Sequence, residues 1–351
     1  MTAPEILLNY RQFVKWFDYF QSSKVIIQNN KFSIGVFFAV SKYICKLVLV
    51  IFMTISGNSF AFLNSQEPEI LTKKIDLAVL QKMAGNGDIE AINGLAYIYL
   101  FGIQVEKDIE KASKILSVAT KSKNGLSYYL LGVSYMLDST IQDYSQAYKW
   151  FGKGSTYGSI DSTWAFGNFY LKGYNVVHTQ PEQGGFWITR AADDGHINAM
   201  LAVAAGCLTS DGADGFRFSL DRTLHYATKA AELGSLDGVF LAGLAYEGKK
   251  EFEKSFSFYR AAIDGYNKGV SIRPHYLALT HFRLGVAYRK GTGTVSDNNL
   301  ALLHLDMGKQ GLELMLSSNS DLTNPSAIKT KLKLINNEIA CIKKPGLITC
   351  Q

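Results

Sequence analysis

One arrangement of small and aromatic residues recurs along the chain, and it constrains the fold more than any other feature of the sequence. Its clearest copy starts at Ala91 and continues with Leu95-Ala96, Tyr99 and Gly102. A unit of this size that recurs predicts a solenoid, in which each unit packs only against its neighbours. Further copies of the motif occur at Leu131-Gly132 with Tyr135, at Phe166-Gly167 with Tyr170, and at Leu284-Gly285 with Tyr288.

Each copy predicts two helices joined by a loop. The spacings of four, one and three residues in the first half place the motif residues on one helical face. The small residue allows a neighbouring helix to approach closely, and the tyrosine fills the space beside it. The second half carries Ala147 with Trp150-Phe151 in one copy, and Trp187 with Ala191-Ala192 in another. This pattern is that of a second helix packed against the first.

Glycines are expected to end the second helices, because glycine takes the left-handed conformation of a helix C-terminus without steric cost. Seven glycines recur at intervals from 31 residues (Gly234 to Gly265) to 46 residues (Gly265 to Gly311). The predicted terminal glycines are Gly87, Gly125, Gly158, Gly195, Gly234, Gly265 and Gly311.

As a set, these motifs resemble the Sel-one-like repeat (SLR) family, relatives of the tetratricopeptide repeat, over about residues 69–312. The resemblance implies an all-α fold, an α-α superhelix or solenoid of about six helix pairs with a C-terminal capping helix. Three departures stand out: an enlarged loop at 209–215, almost no loop after Tyr246, and an insertion at 270–276. The predicted organisation is a leader at 1–61, an opening helix within 62–86, the array at 87–312, and a cap and tail at 313–351.

Composition and charge favour a folded chain that does not bind nucleic acid. Of 351 residues, 47% are hydrophobic, which is too apolar for disorder, and the net charge is +6. Residues 1–61 hold six basic and two acidic residues, a net of +4, so residues 62–351 carry +6 − 4 = +2. A nearly neutral body gives no electrostatic basis for nucleic-acid binding. A C-terminal lysine run predicts a solvated helix face or, alternatively, a site for an acidic partner: Lys329, Lys331, Lys333, Lys343 and Lys344.

The N-terminal region contains the pattern of a secretory signal peptide. The apolar segment 47–55 follows Lys42 and Lys46 and precedes small polar residues that end at Ala61. It is about half of the ~20 residues that span a bilayer. We expect translation to start at Val40, from an alternative start codon, so that residues 40–61 form a signal peptide and residues 1–39 do not belong to the protein. The protein is then expected to be periplasmic or secreted, and bacterial. The alternative is a retained hydrophobic region, 1–60, that anchors the chain at the inner membrane.

The cysteines agree with export. Cys341 and Cys350 flank a short Lys-Lys-Pro-Gly turn that brings them within reach of a disulfide, which would hold the C-terminal tail. Two free thiols are the alternative. Cys207 stands where other copies of the motif place tyrosine, so we expect it in the core.

The sequence contains no established catalytic motif: no H-E-x-x-H, no paired C-x-x-C and no G-x-S-x-G. Gly152-Lys153-Gly154-Ser155 lacks the spacing of a phosphate-binding loop. Ser326 and Lys329 have the Ser-x-x-Lys spacing of penicillin-binding enzymes, and a Ser-Asp-Asn triplet occurs at Ser296, but the third motif, Lys-Thr-Gly, is absent. We expect no catalytic residue, no cofactor and no enzyme activity.

Metal binding is not expected either. Asp211 and Asp214 in the enlarged loop are too few carboxylates for Ca²⁺. His275 and His281 are six residues apart, a spacing that does not align on one helical face, so we interpret both as structural or surface residues.

The candidate binding residues lie between the motif positions of the first helices, on the side expected to face a concave groove. The prediction is a partner-binding ladder of Tyr97, Tyr128, Tyr129, Trp164, Phe169, Phe240 and Phe282, with Met200, Leu201, Leu241 and His281 beside them. Such a ladder predicts a partner with apolar anchors, an amphipathic helix or an extended peptide. The alternative is that these residues pack between adjacent repeats.

The resemblance implies a non-enzymatic protein–protein interaction scaffold or adaptor that binds a protein or peptide in its concave groove. A specific alternative is an immunity protein that neutralises a toxic effector by direct binding, and another is a membrane-anchored adaptor. The resemblance also reaches cysteine-rich members linked to penicillin binding or hydrolysis. Those members pair cysteines within each repeat, and this chain lacks such pairs.

Overall fold

Helices packed side by side make up most of the chain that the computed structural model describes, which is residues 76–137, 142–209, 215–318 and 325–344. The predicted leader, 1–61, lies outside these residues, as do Asp211, Asp214 and Cys350. The α-helices of the described residues are α1 Leu77–Gly85, α2 Ile89–Phe101, α3 Ile109–Ala119, α4 Gly125–Leu137, α5 Tyr144–Thr156, α6 Ile160–Lys172, α7 Pro181–Asp193, α8 Ile197–Thr209, α9 Leu220–Glu232, α10 Leu236–Gly248, α11 Phe252–Asn267, α12 Pro274–Lys290, α13 Asn298–Ser317 and α14 Pro325–Lys343, and a short 3-10 helix, Thr120–Ser122, follows α3.

These helices form the predicted solenoid. Six pairs follow one another, α2–α3, α4–α5, α6–α7, α8–α9, α10–α11 and α12–α13, and the two helices of each pair pack together. Helix α1 packs against α2 at the start, and α14 packs against α13 and α12 at the end. The predicted all-α solenoid of six helix pairs with a C-terminal capping helix is therefore confirmed.

One backbone hydrogen bond recurs in all six pairs and sets how the second helix leaves the first. The N–H of the residue before each second helix donates to the carbonyl at the tyrosine position of the first helix, at 2.8–3.1 Å. The donor and acceptor pairs are Asp108 and Tyr99, Asp143 and Tyr135, Gln180 and Tyr170, Ser219 and Cys207, Glu251 and Tyr246, and Asp297 and Tyr288. The fifth pair keeps this bond although its connection is short.

Three of these donor residues are aspartates, and their side chains begin the second helix. Asp108, Asp143 and Asp297 accept from backbone N–H groups two or three residues later, at 2.8–3.0 Å. A carboxylate at this position satisfies an N–H that the helix leaves unpaired and favours the positive end of the helix dipole. The aspartate of the repeat is thus a helix cap.

The small residue of the motif lies against a large side chain of the second helix, as the spacing predicts. A Cβ added at Gly132 would lie 2.6 Å from the ring of Phe151, and one at Gly243 would lie 2.6 Å from that of Tyr259. Both rings are buried. The motif glycine therefore sets the distance between the two helices of a pair.

Three of the predicted terminal glycines do not end a helix. Gly125 starts α4, and Lys123 holds the left-handed conformation in its place. Gly265 lies inside α11, and Gly311 lies inside α13, because both helices run further than the repeat length predicts. The remaining four predicted glycines have positive φ angles.

The insertion before the sixth pair packs onto the fifth. Ile272 is buried, and the backbone N–H of Arg273 donates to Asp237 at 2.9 Å. The guanidinium of Arg273 also pairs with the carboxylate of Asp237. Helix α12 begins directly afterwards, at Pro274, so the insertion connects two neighbouring pairs.

Candidate functional site

The first helices of successive pairs contact one another and form a continuous surface. Contacts join α2 to α4, α4 to α6, α8 to α10, α10 to α12, and α12 to α14. Between α6 and α8 the link is made by side chains at their N-terminal ends: the Nε2 atom of His196 lies 3.3 Å from the carboxylate of Asp161. We call the surface formed by α2, α4, α6, α8, α10, α12 and α14 the first-helix face.

Most of the predicted ladder is buried. Tyr128, Tyr129, Phe169, Phe240 and Phe282 are between 0% and 6% exposed, and Met200, Leu201, Leu241 and His281 are buried as well. They pack on rings and aliphatic side chains of neighbouring helices. The ring centroid of Phe169 lies 5.9 Å from that of Phe151 in the preceding pair, and that of Phe240 lies 4.9 Å from that of Tyr276 in the following pair. These residues are core residues, so their burial contradicts the prediction that they line an accessible groove. The contacts of Phe169 and Phe240 match the alternative of packing between adjacent repeats.

Tyr97 and Trp164 are the two ladder residues that are only half-buried. The Tyr97 ring lies 4.5 Å from that of Phe101, one turn later on α2. Phe101 is also half-buried, so the pair presents part of two rings to solvent. Whether Tyr97 and Trp164 contact a partner stays a prediction.

Trp164 is held by a histidine at the start of α8. Its ring stacks on that of His196 at 5.3 Å between centroids. The His196 Nδ1 atom accepts from the N–H of Ala199 at 3.0 Å, so its Nε2–H is directed to Asp161. The histidine therefore caps α8 and fixes the indole at once.

The C-terminal part of the first-helix face carries charge instead of aromatic rings. Glu247 of α10 accepts from Arg283 of α12 at 2.8 Å and from the hydroxyl of buried Tyr259 at 2.6 Å. Arg289 of α12 pairs with Glu338 of α14. Burial, followed by the charge of Glu247, raises the pKa of Tyr259 well above its ordinary value.

The sequence interpretation did not single out these charged residues, because it searched the first helices for apolar positions. A signal was present: Glu247 and Arg289 both lie four residues after the small residue of their motif, at Gly243 and Gly285. Polar residues at that register position distinguish the last two pairs from Leu100, Leu171 and Leu208 of earlier pairs.

His281, one of the two histidines interpreted as structural or surface residues, is buried in the sixth helix pair. A hydrogen bond of 2.9 Å connects the Nδ1 atoms of His281 and His304, and the His304 ring stacks on that of Tyr288. Burial lowers the pKa of both His275 and His281 to about 4, so both are neutral at pH 7. Within the described ranges, no group of three or more His, Cys, Asp or Glu side chains is arranged to hold a metal ion.

The structure also describes Cys207, Cys341 and the Ser326–Lys329 pair that the sequence analysis considered. Cys207 is a buried free thiol, and burial raises its pKa. Cys341 is disulfide-bonded, while Cys350 lies outside the described residues, so their pairing stays a prediction. Ser326 and Lys329 are exposed at the start of α14. Of the helices that the structure describes, none combines the length and the apolar character needed to cross a bilayer.

Comparison with known proteins supports the repeat assignment. The sequence profile of the family described as Sel1 repeat matches residues 89–117, 125–156, 164–196, 197–235 and 278–308. These segments correspond to five of the six helix pairs. The remaining pair, α10–α11, is the one with the shortened connection.

Solved structures share the fold. One is c5321, a protective antigen present in uropathogenic Escherichia coli strains that displays an SLR fold, with a TM-score of 0.57 and 20% identity over 78% of this chain. The match spans 60% of that protein's length. Another is a Sel1 repeat protein from Oxalobacter formigenes, with a TM-score of 0.50 and 20% identity over 67% of this chain and 99% of the other. No curated protein matches the chain. The chain belongs to the Sel1 repeat family.

Proposed function

We propose that this chain is a non-enzymatic scaffold that binds a protein or peptide partner along the first-helix face. The Sel1 repeat fold is typical of protein–protein interaction scaffolds. The observation that carries the proposal is the contact between successive first helices, which makes one extended surface from many short helices. A surface of this kind suits an amphipathic helix or an extended peptide, which touches several repeats at once.

The chemistry of the face changes along its length, and this supports a partner with two kinds of contact. Half-buried Tyr97, Phe101 and Trp164 lie on α2 and α6, where partly exposed rings offer apolar anchoring sites. Glu247 and Arg283 lie on α10 and α12, where charges fix orientation and reject wrong partners. The partner would therefore carry apolar anchors at one end and charged groups at the other.

Site-specific photo-cross-linking tests this proposal. A benzophenone amino acid at Phe101 is expected to capture a discrete protein in the native host. The matched control is the same substitution at Phe186, an exposed phenylalanine of the second helix α7, where no such adduct is expected. Adducts at Phe186 with none at Phe101 would place the binding surface on the second helices and reject the proposal.

We also propose that the scaffold works in the periplasm or outside the cell. The support is the order of basic, apolar and small residues up to Ala61. The intact mass of protein from host cell fractions tests it: a chain that begins near Phe62 in the exported fraction is the expected result. An uncleaved chain in the cytoplasmic fraction would refute export, and one in the membrane fraction would favour the anchored alternative.

A further inference from the structure

Helices α10, α12 and α14 of the first-helix face run side by side at the C-terminal end of the array, and they carry charged residues where they face one another. Helix α14 lies next to α12, and Glu338 of α14 pairs with Arg289 of α12. Lys331 of α14 lies close enough to Arg283 of α12 and to Glu247 of α10 to interact with both charges. From the first of these contacts to the second, the sequence advances by six residues on α12, from Arg283 to Arg289, and by seven on α14, from Lys331 to Glu338. The two helices are therefore parallel. Helix α14 thus occupies the place of a seventh first helix and extends the first-helix face.

The charges in this row do not balance. Both oxygens of Glu247 are engaged, one by the guanidinium of Arg283 and the other by the hydroxyl of Tyr259. Glu338 is engaged by Arg289. Among the residues that the structure describes, none forms an ion pair with Lys331. The charge of Glu247 reaches this lysine, but both oxygens of Glu247 are already engaged, so Arg283 and Lys331 share one carboxylate.

Lys331 is also partly removed from solvent. Lys331 is half-buried, and the loss of solvation, followed by the charge of Arg283, lowers its pKa, while the charge of Glu247 opposes this shift. Arg283 and Glu247 are each about one third exposed, so the row is open to solvent on one side. A negative group that arrived there would find two cations already held in place by the packing of α12 and α14.

We propose that this row binds an acidic segment of a protein partner, with one carboxylate bridging Arg283 and Lys331. The proposal rests on the scaffold function above and names the chemistry of its ligand. Glu247 and Glu338 interrupt the row of cations, which disfavours a uniform polyanion such as DNA or an anionic membrane. Residues 62–351 carry only +2 overall, so attraction to such polyanions is weak across the chain as a whole.

The test uses a fluorescein-labelled peptide of alternating glutamate and leucine, with a glutamine and leucine peptide as its uncharged counterpart. Fluorescence anisotropy is expected to show at least tenfold tighter binding of the glutamate peptide to the wild-type chain. Lys331→Gln is expected to weaken this binding at least tenfold. Lys333→Gln removes the same charge from an exposed position on the same helix and is expected to leave the affinity unchanged.

Zero-length carbodiimide coupling locates the contact. The reagent joins a lysine amine to a carboxylate that touches it, and peptide mapping is expected to find the glutamate peptide on Lys331. Equal losses of affinity in Lys331→Gln and Lys333→Gln would overturn the proposal. Binding of phosphatidylglycerol vesicles or duplex DNA that depends on Lys331, with no binding of the glutamate peptide, would also overturn it.

The outcome separates this inference from the scaffold proposal. If Phe101 captures its protein equally well in the Lys331→Gln chain and the glutamate peptide does not bind, the scaffold function stands and the acidic ligand is wrong. If Phe101 captures no protein in the wild-type chain, the scaffold proposal itself fails.

Discussion

Arg283 donates to Glu247 at 2.8 Å, and this ion pair joins the first helices of two successive repeats. The hydroxyl of Tyr259, from the second helix of the fifth pair, donates to the other oxygen of the same carboxylate. One carboxylate therefore connects α10, α11 and α12. A partly exposed ion pair is worth little alone, but a charged hydrogen bond to a buried hydroxyl is worth about 1.5–3 kcal/mol.

We expect Glu247→Gln to lower the free energy of unfolding by about 1–2 kcal/mol, because an amide holds both donors less strongly than a carboxylate does. Urea denaturation followed by circular dichroism measures the change. The control is Glu313→Gln, which removes an exposed carboxylate that pairs with Lys309 one turn earlier on α13 and is expected to leave the midpoint unchanged. Equal effects of both changes would mean that Glu247 has no special connecting role.

The motif glycine of the second pair offers a second test. Gly132→Ala places a methyl group 2.6 Å from the ring of Phe151, which is fully buried, so either the ring or one of the two helices must shift. We expect a loss of about 1–3 kcal/mol in the free energy of unfolding. Gly85→Ala at the end of α1 is the matched control, because nothing lies within 4 Å of its added methyl group and its φ is not positive. A neutral Gly132→Ala would show that the two helices can separate freely.

The repeat motif predicted the fold well because it records local packing. The small residue and the tyrosine position are fixed by contacts inside one pair, such as Gly132 against Phe151, and those contacts recur at fixed spacing. The spacing also predicted that Cys207 occupies a tyrosine position. There it is buried, and its backbone carbonyl accepts the recurring hydrogen bond from the N–H of Ser219. Helix ends were predicted less well: α11 and α13 continue past Gly265 and Gly311, because nothing in the motif itself stops them.

The site was predicted poorly, for a different reason. Exposure of a first-helix side chain depends on how the next pair lies against it, which the motif does not encode. Phe240 and Trp164 both lie three residues before the glycine of their motif, yet Phe240 is buried and Trp164 is only half-buried. The charged row from Glu247 to Lys331 joins residues 84 positions apart, and no local pattern connects them.

The half-buried His275 predicts that the chain loses stability in acid. The folded pKa of His275 is about 4, below the 6.5 of an exposed histidine, because of its burial and the nearby charge of Arg273, which the charge of Asp237 opposes. The unfolded chain therefore gains a proton first as the pH falls, so the stability due to neutral His275 is complete above pH 6.5 and is lost between 6.5 and 4.

We expect this histidine alone to lower the free energy of unfolding by about 2 kcal/mol at pH 5 relative to pH 7.5. Urea denaturation of the wild-type and His275→Gln chains at both pH values isolates the contribution. The variant should lose less stability than the wild-type chain by that amount. Identical pH dependence of the two chains would mean that His275 is accessible to protons in the folded state.

We expect Cys341 and Cys207 to differ in their reactions with reductants and alkylating reagents. Cys341 is disulfide-bonded, and we expect Cys350 to be its partner, whereas Cys207 is a buried free thiol with a raised pKa. A peptide map of the unreduced protein should therefore contain the Cys341–Cys350 peptide, and its mass should increase by two hydrogens on reduction. Iodoacetamide should leave Cys207 unmodified in the folded chain and modify it in urea, because only the exposed thiolate reacts. Two alkylated C-terminal cysteines in the unreduced protein would instead mean that the tail is not cross-linked.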